Sequence, residues 1–501
     1  MPPGPCGCGG VTRRSFLADT GMGFTGLVLG AMLHRDGVVP ASAKASTGKR
    51  ADDEKKWAPP DGKPHHPPRA KSVIWLFMKG GASHLETFDP KSELNRYGGK
   101  TISETPYKDI YSKGSIRELT TGTLAANTGH VLLPMQVGYR AHGRSGTVVS
   151  DWWPHVSECV DHLAVVRSFW TSDIGHTAQL QHHTGRHFLD GVFPTIGAWV
   201  HYGLGSLNDS LPQFVVLGDP VIDAFGGANA HGAHYLGPEH AGVRMNVDPQ
   251  NPLPFSLPQR EKSRKEQEAE LGLLGRLNRL AGIEDPEDPA LRARIKSYEL
   301  AFRMQTAVPQ VFRFDEEDRE TRELYGLGED LTRPFGQQCL AARRLVERGV
   351  RFIQIYHGGG SNGAWDAHGQ LQRSHRQVCA QVDKPIAGLL RDLKRRGLLG
   401  ETLVVWGSEF GRAPGGKPGS DGREHHPYGF SAWLAGGGVK GGVVHGATDE
   451  IGFHAVEHRH YITDLHATVL HQLGLDPHRL EVPGRKRLEI DFGKPIAEIL
   501  A

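Results

Sequence analysis

Cysteine is scarce in this chain: there are five in 501 residues. Cys6 and Cys8 lie near the N-terminus, and the other three, Cys159, Cys339 and Cys379, are an odd number without Cys-x-x-Cys spacing. That argues against a disulfide framework or a zinc ribbon and leaves buried free thiols as the expectation. An excess of charge of one sign is also missing. The 58 basic and 56 acidic residues are well mixed and give a formal charge of +2, so no basic stripe is available to grip nucleic acid, and that partner class is excluded. Long apolar runs are lacking too. The stretch from Gly21 to Met32 is too short to span a bilayer, so no stable membrane span is expected. No repeat of solenoid or propeller length is present. What is abundant is glycine (65), proline (32) and histidine (28). The first two indicate many tight turns. The histidines bunch at 154–187, 357–375 and 425–471, a distribution that suits metal or acid–base chemistry.

The N-terminus reads as an address. Thr12-Arg13-Arg14-Ser15-Phe16-Leu17 has the twin-arginine pattern, an apolar stretch follows, and Ala41-Ser42-Ala43 supplies small residues for cleavage. The expectation is a signal peptide over 1–43, read by the twin-arginine export machinery, with the mature chain delivered to the periplasm or cell envelope. Residues 44–71 are polar and Pro-rich, as in Pro64-His65-His66-Pro67-Pro68, and suit a linker.

From Ser72 the pattern changes. Val73-Ile74-Trp75-Leu76-Phe77-Met78 is a continuous apolar run ending in Lys79-Gly80-Gly81, as a strand buried on both faces requires. Similar runs occur at Leu163–Val166, Phe214–Leu217, Phe352–Tyr356 and Leu403–Trp406. Between the last two, Val378, Val382, Ile386, Leu389 and Leu393 recur at helical spacing. This alternation predicts an α/β domain over 72–501, with a mostly parallel central sheet flanked by helices. The stretch of about 245–345 is more charged. Its apolar positions Leu273, Leu277, Leu280, Leu291, Ile295, Tyr298 and Phe302 predict a helical insertion. Gly436-Gly437-Gly438 reads as a tight turn, since no P-loop Lys-Ser/Thr follows it.

Ligands in parallel sheets gather beyond the carboxyl ends of the strands, so residues just after each apolar run deserve most weight. They are rich in metal-type side chains. Ser83, His84, Glu86 and Asp89 follow the first run, and His176 follows the second. Asp366 and His368 follow Tyr356. Glu409 and Arg412, then Glu424-His425-His426, follow Trp406.

Four of these stretches, GGASHLETFDPK, the Trp365-Asp366-Ala367-His368 element, VVWGSEFGRAP and HHPYGFSAWLAGGGVKGG, followed by Thr463-Asp464-Leu465-His466, resemble the DUF1501 family in order and wording over roughly residues 72–495. That resemblance implies an alkaline phosphatase-like fold, shared with sulfatases, with one or two divalent metals at the strand ends. Carried over by position, it implies a metal held by Asp366, His368 and His426, with His426 preferred over His425 because Pro427 follows. A second metal would rest on Glu409 and an acid of the first loop, Glu86 or Asp89. The nucleophile's register falls on His176, with Ser172, Thr171 and Ser83 as hydroxyl alternatives, and Arg412 is placed to hold an anionic ester. Zn²⁺ suits such ligands, and Mn²⁺ or Fe²⁺ is tolerated. The implied activity is an exported metal-dependent hydrolase of a small-molecule or glycan ester of phosphate or sulfate. The alternative is a catalytically degenerate relative that binds anionic glycans or serves as a cell-envelope interaction module.

Overall fold

The computed structural model describes residues 60–110, 129–248, 250–253, 263–284, 289–485 and 487–501. The expected signal peptide and the first part of the expected linker lie outside the described residues. The rest of that linker lies along the body: the N–H groups of His65 and His66 bond Gly474 O, and those of Arg69 and Ala70 bond Gln472 O.

The apolar runs become the strands of one sheet. They are β1 (Ser72–Met78), β2 (Leu163–Trp170), β3 (Phe214–Gly218), β4 (Val243–Arg244), β5 (Phe352–His357), β6 (Thr402–Gly407), β7 (Phe430–Ala435), β8 (Val443–His445) and β9 (His460–Tyr461). Among the described residues their order is β8-β2-β7-β6-β1-β5-β3-β4, and β9 also pairs with β2. β1 is central and runs parallel to both neighbours, with Trp75 opposite Gln354 on one side and Val405 on the other. All seven of its residues are buried. Side-chain alternation sends Val73, Trp75 and Phe77 into one apolar layer and Ile74, Leu76 and Met78 into the other. Each such side chain contributes roughly 1.5–3 kcal/mol of burial free energy.

Only β7 runs antiparallel to its partners, β2 and β6. The cause is its connection. β6 ends at Gly407, and the segment 408–429 that follows contains no helix able to carry the chain back to the start of the sheet, so the chain re-enters from the end it left. At the far end of β7 the three glycines 436–438 all have positive φ (70°, 51° and 82°), making the tight turn expected from the sequence.

Helices cover both faces. α1 (Ala178–Thr184), α2 (Ile196–Leu204), α3 (Arg264–Glu284), α4 (Pro289–Val311), α5 (Arg319–Leu324), α6 (Arg333–Glu347), α7 (Leu371–Arg395) and α8 (Ile462–Gln472) are the main ones. α6 and α7 pack on the layer containing Ile74 and Leu76; α2 and α8 pack on the layer containing Trp75 and Phe77. The α7 stripe of Val378, Val382, Ile386, Leu389 and Leu393 is buried as its spacing predicts, with Lys394 and Arg395 in the last turn, where the helix dipole favours cations. In the 245–345 stretch, Met304, Val308 and Val311 of α4 join the same apolar layer as α6, which leads into β5. Cys159, Cys339 and Cys379 are free and buried. Among the described residues no helix is long and apolar enough to cross a membrane.

Candidate metal centre

The carboxyl ends of β2, β6, β1 and β5 lie on the same side of the sheet, and the loops leaving them meet around one carboxylate. Asp366, on the loop after β5, has His176 at 3.2 Å from Oδ2; its Oδ1 has His425 at 3.2 Å, His368 at 3.3 Å and Arg412 at 2.8 Å. All three imidazoles approach through Nε2. Each is anchored at the other nitrogen: His176 Nδ1 by Glu409 Oε1 at 3.1 Å, His425 Nδ1 by Ile174 O at 2.8 Å, and His368 Nδ1 by Glu424 Oε2 at 2.8 Å. An imidazole that gives its Nδ1 proton to a carboxylate or carbonyl keeps a lone pair on Nε2, the arrangement of metal-ligating histidines. His176, Asp366 and His425 present ligand atoms all within 4.8 Å of one another. His368 Nε2 lies 3.0 Å from His425 Nε2, at the exposed edge of this group.

The fit to a divalent ion rests on an orphaned atom. His176 Nε2 is buried and makes no hydrogen bond, although Asp366 Oδ2 is 3.2 Å away. A lone pair turned on a carboxylate is unfavourable unless a proton or a cation lies between them. Without a cation the proton takes that role: burial works against charge on His176, but the flanking Asp366 and Glu409 carboxylates raise its pKa to about 9. Burial also opposes charge on Asp366, yet His176, His425 and Arg412 hold its carboxyl far below the usual carboxylate range. His425 is pushed down, chiefly by burial, against the opposing pull of Asp366. The donor set of imidazoles plus one carboxylate suits Zn²⁺, with other first-row ions tolerated.

Backbone close packing makes the constellation. Gly80 has φ +117°, and a β-carbon there would fall 2.5 Å from Asp366 N. Only glycine lets the loop after β1 lie against the Asp366 loop. Gly80 N–H then donates to both oxygens of Glu409, at 2.9 and 3.0 Å, which fixes the carboxylate that orients His176.

Several residues proposed from the sequence have other places. His426 does not meet Asp366. In the two-residue strand His425–His426, which pairs with Gly411–Arg412, neighbouring side chains point to opposite faces; His426 is wholly buried against Phe453, with Nε2 bonded to Phe453 O. His425 meets Asp366 instead, at 3.2 Å. Glu86 is not with the Asp366 ligands either: it is fully buried against Arg423 at 2.7 Å, and Ser83 Oγ donates to it, so Ser83 is no free nucleophile. Asp89 is paired with Lys91 at 3.0 Å and bonded by Thr448. Glu409 stands behind His176 and supports no second site with those first-loop acids. Arg412 is completely buried, donating to Gly80 O, Gly81 O, Trp365 O, Arg423 O and Asp366, and is turned inward on these five acceptors, away from an entering ester. Its role is to fix Asp366. Nothing in the sequence order marks Glu424 as the support of His368.

The site is open on one side. The His368 side chain is 43% exposed, whereas those of Asp366 and His425 are 13% and 15% exposed.

The fold is similar to that of several solved structures. They include a phosphonate monoester hydrolase from Silicibacter pomeroyi (11% identity, 86% of this chain and 76% of that one, TM-score 0.35). A sulfatase from Pseudoalteromonas sp. gives 13% identity, 86% and 72% coverage and a TM-score of 0.32. Alkaline phosphatase from the Antarctic bacterium TAB5 gives 12% identity, 77% and 96% coverage and a TM-score of 0.31. No curated protein matches the chain. The match that spans the domain is to the family described as "Protein of unknown function (DUF1501)", which covers residues 70–500, and the chain belongs to that family.

Proposed function

We propose that this chain is an exported, metal-dependent hydrolase of phosphate or sulfate esters, with Asp366, His176, His425 and His368 as the metal ligands. The observation that carries the reading is the convergence of three Nδ1-anchored imidazoles on one carboxylate. Bound there, a divalent ion supplies a Lewis acid for the ester oxygen and lowers the pKa of water. The chain's own groups do the positioning. Glu409 accepts the Nδ1 proton of His176 and holds its ring, Arg412 fixes Asp366, and the exposed His368 side is where a small-molecule or glycan ester enters. The reading rests on the site and not on fold likeness. Export to the periplasm or cell envelope through the twin-arginine route belongs to the same proposal and rests on Arg13-Arg14 and the apolar stretch after them.

One observation favours the second reading, a catalytically degenerate member that binds an anionic glycan. The hydroxyls named for the nucleophile register are held elsewhere: Ser83 donates to Glu86, Ser172 accepts from Gln181 Nε2 at 2.9 Å, and Thr171 is buried. The hydrolase reading therefore uses water as the nucleophile.

One experiment tests both parts. The precursor is expressed with its leader, cells are fractionated, and the purified mature protein is assayed for metal and against phosphate and sulfate esters. The expected result is periplasmic protein holding about one ion per chain more than Asp366→Ala and His425→Ala, with ester turnover that those variants lose. Equal metal content in all three would defeat the centre. Retained metal without turnover would favour the binding reading, and cytoplasmic retention would defeat export.

A further inference from the structure

Asp366 has a further neighbour besides the three imidazoles and Arg412. Asn362, earlier on the same loop, donates from Nδ2 to Asp366 Oδ2 at 3.0 Å, and this is the oxygen that faces His176. The amide has a second N–H. It meets no acceptor among the described residues, and Asn362 is exposed. The cations nearby are turned away: Arg412 is buried on its five acceptors, and Lys79 is buried with Nζ donating to Asp219 O and Pro220 O.

The base of the loop fixes where Asn362 stands. Gly358 and Gly363 both have φ +105°, and a β-carbon would fall 2.9 Å from Ala364 N at the first and 2.2 Å from Lys79 O at the second. Only glycine lets both ends of the loop lie against the end of β1. The tip is held from α1. Gln179 follows His176 by one turn, with its N–H bonded to His176 O at 3.1 Å, and its Nε2 donates to Asn362 O at 3.0 Å. His176 and Gln179 thus grip the Asp366 loop from one face of one turn. The Gln179 side chain is wholly buried, and its Oε1 has no partner. A buried amide oxygen without a donor is unfavourable. Turned over, the amide would set Oε1 against Asn362 O, so its orientation serves Asn362.

We propose that Asn362 is the residue that contacts the ester, donating its outer N–H to a non-bridging oxygen of the phosphate or sulfate group, and that Gln179 is the positioning residue behind it. The assignment rests on the hydrolase reading above. Carboxylates that ligate metals are themselves hydrogen-bonded, so the bond to Oδ2 is compatible with a bound ion. An ion held at Oδ2 lies about 2.0–2.2 Å from that oxygen, which puts Nδ2 within about 5 Å of the ion, the reach of one ion-bound oxygen plus one hydrogen bond. The donor is neutral. It takes a singly charged sulfate ester and a doubly charged phosphate ester alike, where a side-chain cation would favour the second.

The test uses the full mature chain saturated with Zn²⁺ and reads the binding of inorganic phosphate and inorganic sulfate by calorimetry, beside the kinetics of ester turnover. Asn362→Ala, at an exposed position that the fold does not depend on, removes a hydrogen bond to a charged group and should weaken both anions about tenfold to a hundredfold. In turnover KM should rise with kcat little changed, since the contact is made to bound ester and transition state alike. Zn²⁺ affinity, from chelator competition, should fall less than about tenfold, because the lost bond is exposed and Asp366 keeps Arg412. Gln179→Met keeps the volume and removes the donor to Asn362 O. It should weaken anion binding several-fold, and adding it to Asn362→Ala should weaken binding no further, as for a residue that acts only through Asn362. Anion affinities in Asn362→Ala within about twofold of the unaltered chain, or full additivity of the two substitutions, overturn the assignment. Metal without anion binding in the unaltered chain overturns it too and leaves the metal centre standing, whereas absence of metal overturns the hydrolase reading with it.

Discussion

Two regions beyond the strand ends are equally rich in acids, hydroxyls and histidines, and they are built on opposite principles. Around Glu86, every charge has a permanent opposite. Arg423 donates to Glu86 and to the carbonyls of Leu133, Pro134 and Pro414, and both side chains of the pair are 0% exposed. Around Asp366 the carboxylate has one permanent cation, Arg412, and three imidazoles whose charge depends on a proton or a metal. The histidines record the difference. Burial pushes His84 and His375, in the first region, down to about 4 and about 3, whereas His176 in the second rises to about 9. A buried carboxylate marks a site when what faces it can change charge, and marks scaffolding when it cannot.

Acid should expose this contrast most strongly. For His84 and His375 the folded-state pKa lies below the unfolded value of 6.5. Unfolding therefore takes up protons as pH falls below about 6.5, so stability is full above that pH and is lost on the way to pH 4. The two together should cost roughly 6 kcal/mol at pH 4 relative to pH 7, since each tenfold difference in proton affinity between folded and unfolded chain is worth about 1.4 kcal/mol. Equilibrium denaturation across this range measures the loss. In His84→Gln, whose side chain does not titrate, the fall should shrink by roughly 3 kcal/mol. An unchanged fall would show that His84 is not held neutral in the folded chain.

Removing the permanent partner is the next largest test. Arg423→Ala leaves the Glu86 carboxylate buried and unpaired and strips the donors from three carbonyls, so a loss of about 3–5 kcal/mol in chemical denaturation is expected. Asp366→Ala should cost well under that. Its side chain is partly exposed, and Arg412 keeps four main-chain carbonyl acceptors. If the two variants lose the same stability, both regions are scaffolding.

The fold is largely legible because buried parallel strands are written as continuous apolar runs. β1, β2, β3, β5 and β6 begin within a residue of Val73, Leu163, Phe214, Phe352 and Leu403, where the apolar runs start. β7 is just as apolar, but it lies inside the HHPYGFSAWLAGGGVKGG stretch, where the motif masks the strand, and its direction depends on the connection before it. Of the site, Asp366, His176, His368 and Glu409 are legible from their positions after strands. What sequence order does not encode is which faces meet. Arg412 and Glu86 carry the right chemistry at the right strand ends, and tertiary contacts turn one inward on five acceptors and lock the other to Arg423. His425 and His426 are one residue apart, and side-chain alternation alone decides between them.

The smallest effects lie behind the ligands, and they separate the buried half of the site from its open half. Glu409 is 0% exposed and orients His176 while held by Gly80 N–H and by the Ser408 hydroxyl at 3.1 Å. Glu424 does the same for His368, but its side chain is 20% exposed and its histidine 43% exposed. Glu409→Gln keeps the shape and an acceptor for Gly80, but removes the charge behind His176, the proposed ligand. Metal affinity should fall about 10–100-fold, as is usual when the partner behind a ligating histidine is lost. Glu424→Gln should cost less than about tenfold, because water competes for and replaces the exposed bond. Titration against a chelator of known affinity gives both numbers. Equal losses would make His368 as firm a ligand as His176, and the site a closed one. No loss at Glu409→Gln would mean that the buried histidine does not bind the ion at all.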